Sequence, residues 1–163
     1  MDTYFKALKQ ILEEKDEITF LSGAGLSTSA GLPDFRSDEN GFWKSNSPVH
    51  FRDFLSSKEY RMKSWQNNIA IHKKLENIKP TKMHILVNKV IHRGTSNFHI
   101  TQNIDGLHRD EAKEKNIIEL HGSIFKAKCL NCGAKYDTLE YFDNLELGTD
   151  CLCSECREGF VKV

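Results

Sequence analysis

Amide, carboxylate and imidazole side chains crowd into the eight residues Thr101–Gln102–Asn103–Ile104–Asp105–Gly106–Leu107–His108, directly after the apolar run Phe98–His99–Ile100. A second apolar run, Ile117–Ile118–Glu119–Leu120, delivers His121–Gly122–Ser123. Two strand-like runs that each end in polar groups are how an open α/β sheet builds a site at the carboxyl ends of its strands. An enzyme site is the first expectation.

A third run, Ile18–Thr19–Phe20–Leu21, enters the turn Ser22–Gly23–Ala24–Gly25. Bare backbone at Gly23 and Gly25 lets a ligand approach closely, and the amides of a following helical turn can hold an anion. A lone G-x-G also serves strand-to-helix turns that bind nothing, so the motif by itself leaves both readings open. The dehydrogenase fingerprint would need a third glycine at position 28, where this chain has Thr28. Next comes Gly31–Leu32–Pro33–Asp34–Phe35–Arg36–Ser37, which sets a proline, an acid, an aromatic and an arginine side by side. A surface ion pair would account for Asp34 and Arg36 but not for Phe35 between them. A loop that covers a ligand accounts for all three.

The cysteines carry separate chemistry. All five lie between Cys129 and Cys156. Clustering of this kind reads as metal binding rather than as a disulfide framework spread across a secreted fold. Cys129–Leu130–Asn131–Cys132–Gly133 is a knuckle whose glycine permits the turn that aims both thiolates at one ion. Cys153–Ser154–Glu155–Cys156 repeats the spacing after about twenty residues, within the zinc-ribbon range. Four thiolates close a tetrahedron, which suits structural zinc rather than a catalytic metal. Cys151 is surplus; it could stand in for Cys153, although the C-x-x-C spacing pairs Cys153 with Cys156.

These groups need elements to position them. Residues 2–15 place Phe5, Leu8, Ile11 and Leu12 on one face of an amphipathic helix, read as core packing. Residues 41–79 are rich in aromatics and charges with weak helical periodicity, and read as a helical insert between sheet strands. Thr81 caps a clearer helix whose apolar face is Leu86, Val87, Val90 and Ile91, and Gly94 ends it. Strand, glycine turn, helices, strand, loop and strand in that order imply a parallel sheet with crossover connections. His50, His72, His84, His92 and His99 are read as surface or core histidines. The chain of 163 residues has a formal net charge of zero and no long basic tract, so composition offers no nucleic-acid footprint. With no run of membrane-spanning length and no leader-like start, a soluble cytoplasmic protein is expected.

The motifs together resemble the sirtuins, the NAD-dependent protein deacylases. They are Gly23–Ala24–Gly25–Leu26–Ser27, Gly31 to Arg36, Gly41–Phe42–Trp43, Pro80 with His84, Thr101 to His108, Glu119–Leu120–His121–Gly122–Ser123, and the four-cysteine module. The resemblance implies an α/β fold: the first part of a Rossmann-like parallel sheet over residues 1–124, with a helical insert at about 41–79, and a zinc-binding module over residues 125–163. It implies NAD as a consumed co-substrate held by Gly23, Ala24, Gly25, Thr28, Phe35 and Arg36. Gln102, Asn103, Ile104 and Asp105 would surround the nicotinamide and its ribose. His121 would be the general base and Asn103 would order the ribose and a water. Cys129, Cys132, Cys153 and Cys156 would hold structural zinc. The partner implied is an acyl-lysine protein or peptide, with nicotinamide released and the acyl group passed to ADP-ribose. Mono-ADP-ribosyl transfer, NAD hydrolysis and a non-catalytic zinc module acting as an interaction surface are the competing functions.

Departures from the family pattern are specific. After the Asp105 loop the usual His-x-x-Ala-Gly is replaced by His108–Arg109–Asp110–Glu111–Ala112–Lys113. Trp65–Gln66–Asn67–Asn68 stands where desuccinylase-like members carry Tyr-x-x-Arg, so an acidic acyl group lacks its arginine. The family continues for roughly another half domain beyond the second cysteine pair. A partner or a further C-terminal segment is therefore expected to complete the sheet and cover its open edge.

Overall fold

The computed structural model describes residues 2–34, 41–109 and 111–163. They group into two compact units, each assembled from separated stretches of chain. One comprises Met1–Ala30, Lys79–Asn103 and Leu107–His121; the other comprises Gly31–Ile78, Ile104–Gly106 and Gly122–Val163. This partition differs from a division near residue 124, because the helical insert packs with the cysteine module.

The first unit is built on three strands, β1 (Thr19–Ser22), β2 (Phe98–Thr101) and β3 (Ile117–Glu119), all parallel and in the order β1-β2-β3. Strands of three and four residues with β-branched and aromatic side chains suit such a sheet. Helix α1 (Asp2–Glu14) precedes β1, and the short helix α2 (Gly25–Thr28) follows it. Asn97 secures the amino ends of the strands. Its Oδ1 accepts the Ile18 amide at 2.7 Å, and its Nδ2 donates to the Val90 carbonyl at 2.8 Å. Asn116 Nδ2 adds bonds to the carbonyls of Thr95 (2.9 Å) and Asn97 (2.8 Å).

The helix that leads into β2, here α6 (Lys82–Arg93) after the insert helices α3 (Phe42–Ser45), α4 (Phe51–Ser56) and α5 (Lys58–Leu75), buries Val87, Val90 and Ile91 as its 3.6-residue period predicts. Thr81 caps it and Gly94 ends it, as expected. The third helical residue is unusual for a capping box. His84 Nδ1 takes the place of the customary carboxylate and accepts the Thr81 backbone N–H at 3.1 Å.

Apolar surface remains open in this unit. Phe5, Leu8 and Ile11 of α1, expected to be core, are 74%, 46% and 49% exposed. Leu21, Ile118 and Leu120 around the outer strands β1 and β3 are also exposed. Parallel sheets are ordinarily covered on both faces, and among the described residues these hydrocarbons are not covered.

The second unit joins helices α3 (Phe42–Ser45), α4 (Phe51–Ser56) and α5 (Lys58–Leu75) to an antiparallel sheet. That sheet comprises β4 (Lys126–Cys129), β5 (Lys135–Asp137) and β6 (Val161–Lys162) in the order β5-β4-β6. A 3-10 turn (Thr138–Tyr141) and helix α7 (Phe142–Glu146) follow β5. Phe54 and Trp65 are wholly buried with Ala127, Tyr141 and Val161 in one core. A second core gathers Phe42, Ile71, Leu75 and Ile124.

Helix α5 is anchored through polar tips on one stripe. Arg61, Trp65 and His72 lie one or two turns apart. The Arg61 guanidinium reaches the Asp150 carboxylate at 2.6 Å and also donates to the Phe54 carbonyl. Trp65 Nε1 donates to the Val161 carbonyl at 3.1 Å, and His72 Nε2 lies 2.9 Å from the Ile124 carbonyl. Removing one partner of a buried ion pair leaves the other charge uncompensated, at a cost of about 3–5 kcal/mol. Arg61→Ala is therefore expected to lower the chemical-denaturation stability of the metal-loaded protein by about 3 kcal/mol, whereas Arg52→Ala, on exposed surface, leaves it unchanged.

Candidate active site and metal centre

The three parallel strands stop together. Ser22 pairs with Thr101, and Thr101 with Glu119, at their last positions. Backbone pairing then runs one residue further, from the Gln102 amide to the Ser22 carbonyl (3.0 Å) and from the Leu120 amide to the Thr101 carbonyl (2.9 Å). The glycine turn, Gln102–Asn103 and His121 consequently all leave one end of one sheet within two residues of that line. This is the carboxyl end, where open α/β sheets place their ligands.

The turn has room for a ligand. A Cβ added at Gly23 or Gly25 would meet no atom of the described residues within 4 Å, and neither residue has a positive φ. Nothing among the described residues demands glycine there, so the bare backbone leaves room of the kind a phosphate or ribose needs. Ala24 is half-buried at the start of α2, and Thr28 is exposed with its hydroxyl donating to the Gly25 carbonyl at 3.2 Å. Phe35 and Arg36 lie outside the described residues.

Asn103 is 6% exposed and Gln102 is exposed beside it. The Asn103 side-chain Nδ2 donates to Ser27 Oγ at 3.2 Å, and Ser27 Oγ lies 3.4 Å from His84 Nε2. His84 Nδ1 accepts a backbone N–H, so the proton of its neutral ring sits on Nε2, facing Ser27. A wholly buried histidine thus supports the amide of Asn103 through one hydroxyl. In the sequence His84 reads as a surface or core histidine; its place three residues after the Thr81 cap is the signal for this role. Ile104 and Asp105 belong to the second unit, where the Ile124 amide donates to the Ile104 carbonyl at 2.9 Å.

His121 is exposed beyond β3. Two residues earlier, Glu119 accepts from His108 Nε2 at 3.0 Å and Arg109 Nε at 3.1 Å. Burial alone would raise the Glu119 carboxyl, but these hydrogen bonds and the Arg109 charge outweigh it and bring the group from 4.5 down to about 2.

In the second unit the sulfurs of Cys129, Cys132, Cys153 and Cys156 converge within 4.8 Å of one another. The Cys129–Cys156 and Cys132–Cys153 separations are 3.7 and 3.6 Å. A tetrahedron with Zn–S bonds of about 2.3 Å has edges of about 3.8 Å, so the donor set fits zinc. Backbone amides point at the sulfurs: Asn131 and Cys132 at Cys129 (both 3.4 Å), Cys156 at Cys153 (3.5 Å) and Gly159 at Cys156 (3.3 Å). Burial opposes the Cys153 thiolate, but the Tyr136 hydroxyl at 2.9 Å and neighbouring amides outweigh it and lower the thiol to about 6. Cys151 lies outside this cluster, wholly buried in the core, with its thiol pushed up to about 12 by burial and by the Asp150 charge.

Gly133 closes the first knuckle at φ +78°. Gly159 is held by contact instead: a Cβ there would collide with Cys129 Sγ and come within 2.7 Å of the Asn131 Cβ.

The Sir2 family model matches residues 23–162. The chain belongs to the Sir2 family. An NAD-dependent protein deacetylase of Sulfolobus acidocaldarius is 38% identical over 93% of this chain and 58% of its own. One of Clostridium acetobutylicum is 36% identical over 95% of this chain and 63% of its own. Among solved structures, a Sir2 with p53 peptide and NAD+ superposes with a TM-score of 0.76 at 29% identity, over 97% of this chain and 62% of its own. The Sir2-family chain thus spans about three fifths of the length of these relatives.

Two outcomes test the geometry. Gly159→Ala is expected to abolish tight zinc binding and the thiolate-to-metal absorption of the cobalt-substituted protein, while Gly148→Ala keeps both. The depressed Glu119 pKa contributes stability that is complete above about pH 4.5 and is lost as pH falls toward 2. Denaturation curves of wild type and Glu119→Gln are expected to differ by about 1–2 kcal/mol near neutrality, after allowing for solvent screening of a partly exposed carboxyl, and to converge in acid.

Proposed function

We propose that the chain carries the nicotinamide-side part of an NAD-dependent protein-lysine deacylase. The observation that carries the reading is the in-register end of β1, β2 and β3, from which Gly23–Gly25, Gln102–Asn103 and His121 emerge together. NAD is the co-substrate. Gly23, Ala24, Gly25 and Thr28 cradle it, with Phe35 and Arg36 covering it. Gln102, Asn103, Ile104 and Asp105 surround the nicotinamide and ribose; Asp105 can accept from the nicotinamide amide.

Attack of the acyl-lysine carbonyl oxygen on the ribose carbon expels nicotinamide, and the acyl group ends on ADP-ribose. His121 acts as the general base for a ribose hydroxyl, a role suited to imidazole. Asn103, held by Ser27, orders the ribose and a water. Zinc at Cys129, Cys132, Cys153 and Cys156 is structural: four thiolates leave no open coordination position. The acyl-lysine partner is a peptide or protein with an uncharged acyl group such as acetyl. No helix among the described residues is long and apolar enough to cross a membrane. A cytoplasmic location is part of the proposal. Further strands, supplied by more chain or by a partner, cover the open apolar surface at Leu21, Ile118 and Leu120 and furnish the adenine side of the site.

The zinc-loaded chain, incubated with NAD and an acetyl-lysine peptide, is expected to release nicotinamide and deacetylated peptide together. His121→Ala is expected to lower both by at least about a hundredfold, with the zinc content unchanged. Nicotinamide without deacetylation would support ADP-ribosyl transfer or NAD hydrolysis instead. A folded sample that neither binds NAD nor turns over would support a non-catalytic module.

A further inference from the structure

The strand leading to Asn103 carries an imidazole where a parallel strand ordinarily carries hydrocarbon. His99 and Thr101 point to the same side of β2, and each is fully buried. A polar group so placed costs about 1–3 kcal/mol unless it is hydrogen-bonded, and the bonds made here run in one direction. His99 Nε2 lies 2.7 Å from Ser22 Oγ on the neighbouring strand β1. Ser22 Oγ donates its one proton to Thr101 Oγ1 at 2.8 Å. Ser22 must then accept from His99, which places the His99 proton on Nε2. Thr101 Oγ1 in turn accepts the backbone N–H of Asn103 at 3.1 Å. The His108 ring meets the His99 ring edge to face, with centroids 5.7 Å apart, and holds the imidazole plane.

Asn103 is therefore secured twice. Its side chain is tied through Ser27 toward His84, and its backbone through Thr101 and Ser22 to His99. The two ties are independent, since they share no hydroxyl.

We propose that His99 is a positioning residue for the reaction: by orienting the Ser22–Thr101 hydroxyl pair, it sets the backbone of Asn103 at the end of β2 without touching substrate itself. This rests on the reading of Asn103 as a nicotinamide-ribose contact. The role needs an N–H donor at the place of Nε2, not an imidazole as such. Glutamine can supply that donor and leucine cannot.

The test compares His99→Leu with His99→Gln in the zinc-loaded chain, using two readouts. The first is amide hydrogen exchange at Asn103 followed by NMR, with Ile100 in the same strand as reference. Loss of one neutral hydrogen bond is expected to speed exchange at Asn103 by about five- to tenfold in the leucine variant relative to Ile100, and glutamine is expected to restore it to within about twofold. The second is nicotinamide release from NAD, where leucine is expected to lower kcat with KM for NAD little changed, and glutamine to recover kcat. Unchanged Asn103 exchange in a folded leucine variant would overturn the proposal, as would a glutamine variant no better than leucine. Should the leucine variant not fold, Ser22→Ala cuts the relay at its centre with His99 in place; faster Asn103 exchange is then expected, and unchanged exchange overturns the proposal. Wild-type protein that releases no nicotinamide, yet shows the expected exchange pattern, would sink the deacylase reading and support the positioning role. Nicotinamide release with exchange insensitive to residue 99 would do the reverse.

Discussion

A polar group taken out of water must be hydrogen-bonded or paired, and both units of this protein are organised around meeting that demand. In the first unit the buried face of β2 carries His99 and Thr101 rather than two hydrocarbons, and the neighbouring strand answers with Ser22. In the second, helix α5 buries Arg61, Trp65 and His72, and each tip finds a carboxylate or carbonyl of the cysteine-bearing segment. Hydrocarbon packing supplies much of the stability, but it is non-directional. The polar ties are what select one register for the strands and one rotation for the helix.

The same demand shapes the chemistry. Backbone amides aimed at Cys153 and Cys156 favour thiolate over thiol, so that side of the cluster is prepared for a dication by its own backbone. At the strand ends, Asn103 keeps a defined orientation because its backbone and side chain answer to different hydroxyls. Pre-set groups of this kind need no reordering when a substrate arrives, which is how positioning contributes to a reaction rate. The exposed Leu21, Ile118 and Leu120 are the counterpart: apolar surface around the outer strands that stays open to solvent.

Sequence patterns disclosed some of this well. Helix α6, with Thr81 before it and Gly94 after it, was legible from capping chemistry and a clean 3.6-residue period. Helix α5 was legible only as weak periodicity, because its buried stripe alternates charge, aromatic and imidazole where a period-based reading looks for aliphatics. Helix α1 misled in the opposite direction. Its apolar face is periodic, but Phe5, Leu8 and Ile11 remain exposed, since periodicity shows that a face can be buried and not what buries it. His84 and His99 are silent in the sequence for a related reason: a lone imidazole does not show which hydroxyl it will face.

The sequence by itself determined the local chemistry: glycines at 23 and 25, polar groups after each apolar run, and two C-x-x-C knuckles whose spacing is enough to aim two thiolates at one ion. Each of these depends on residues a few positions apart, where covalent geometry sets the distances. Only the tertiary structure decided that the three strands end in register, that Cys153 rather than Cys151 completes the sulfur tetrahedron, and that the helical insert packs with the cysteine module. Those outcomes join residues some 20 to 90 positions apart. Their distances are set by how side chains pack and hydrogen-bond across elements, which no local spacing encodes.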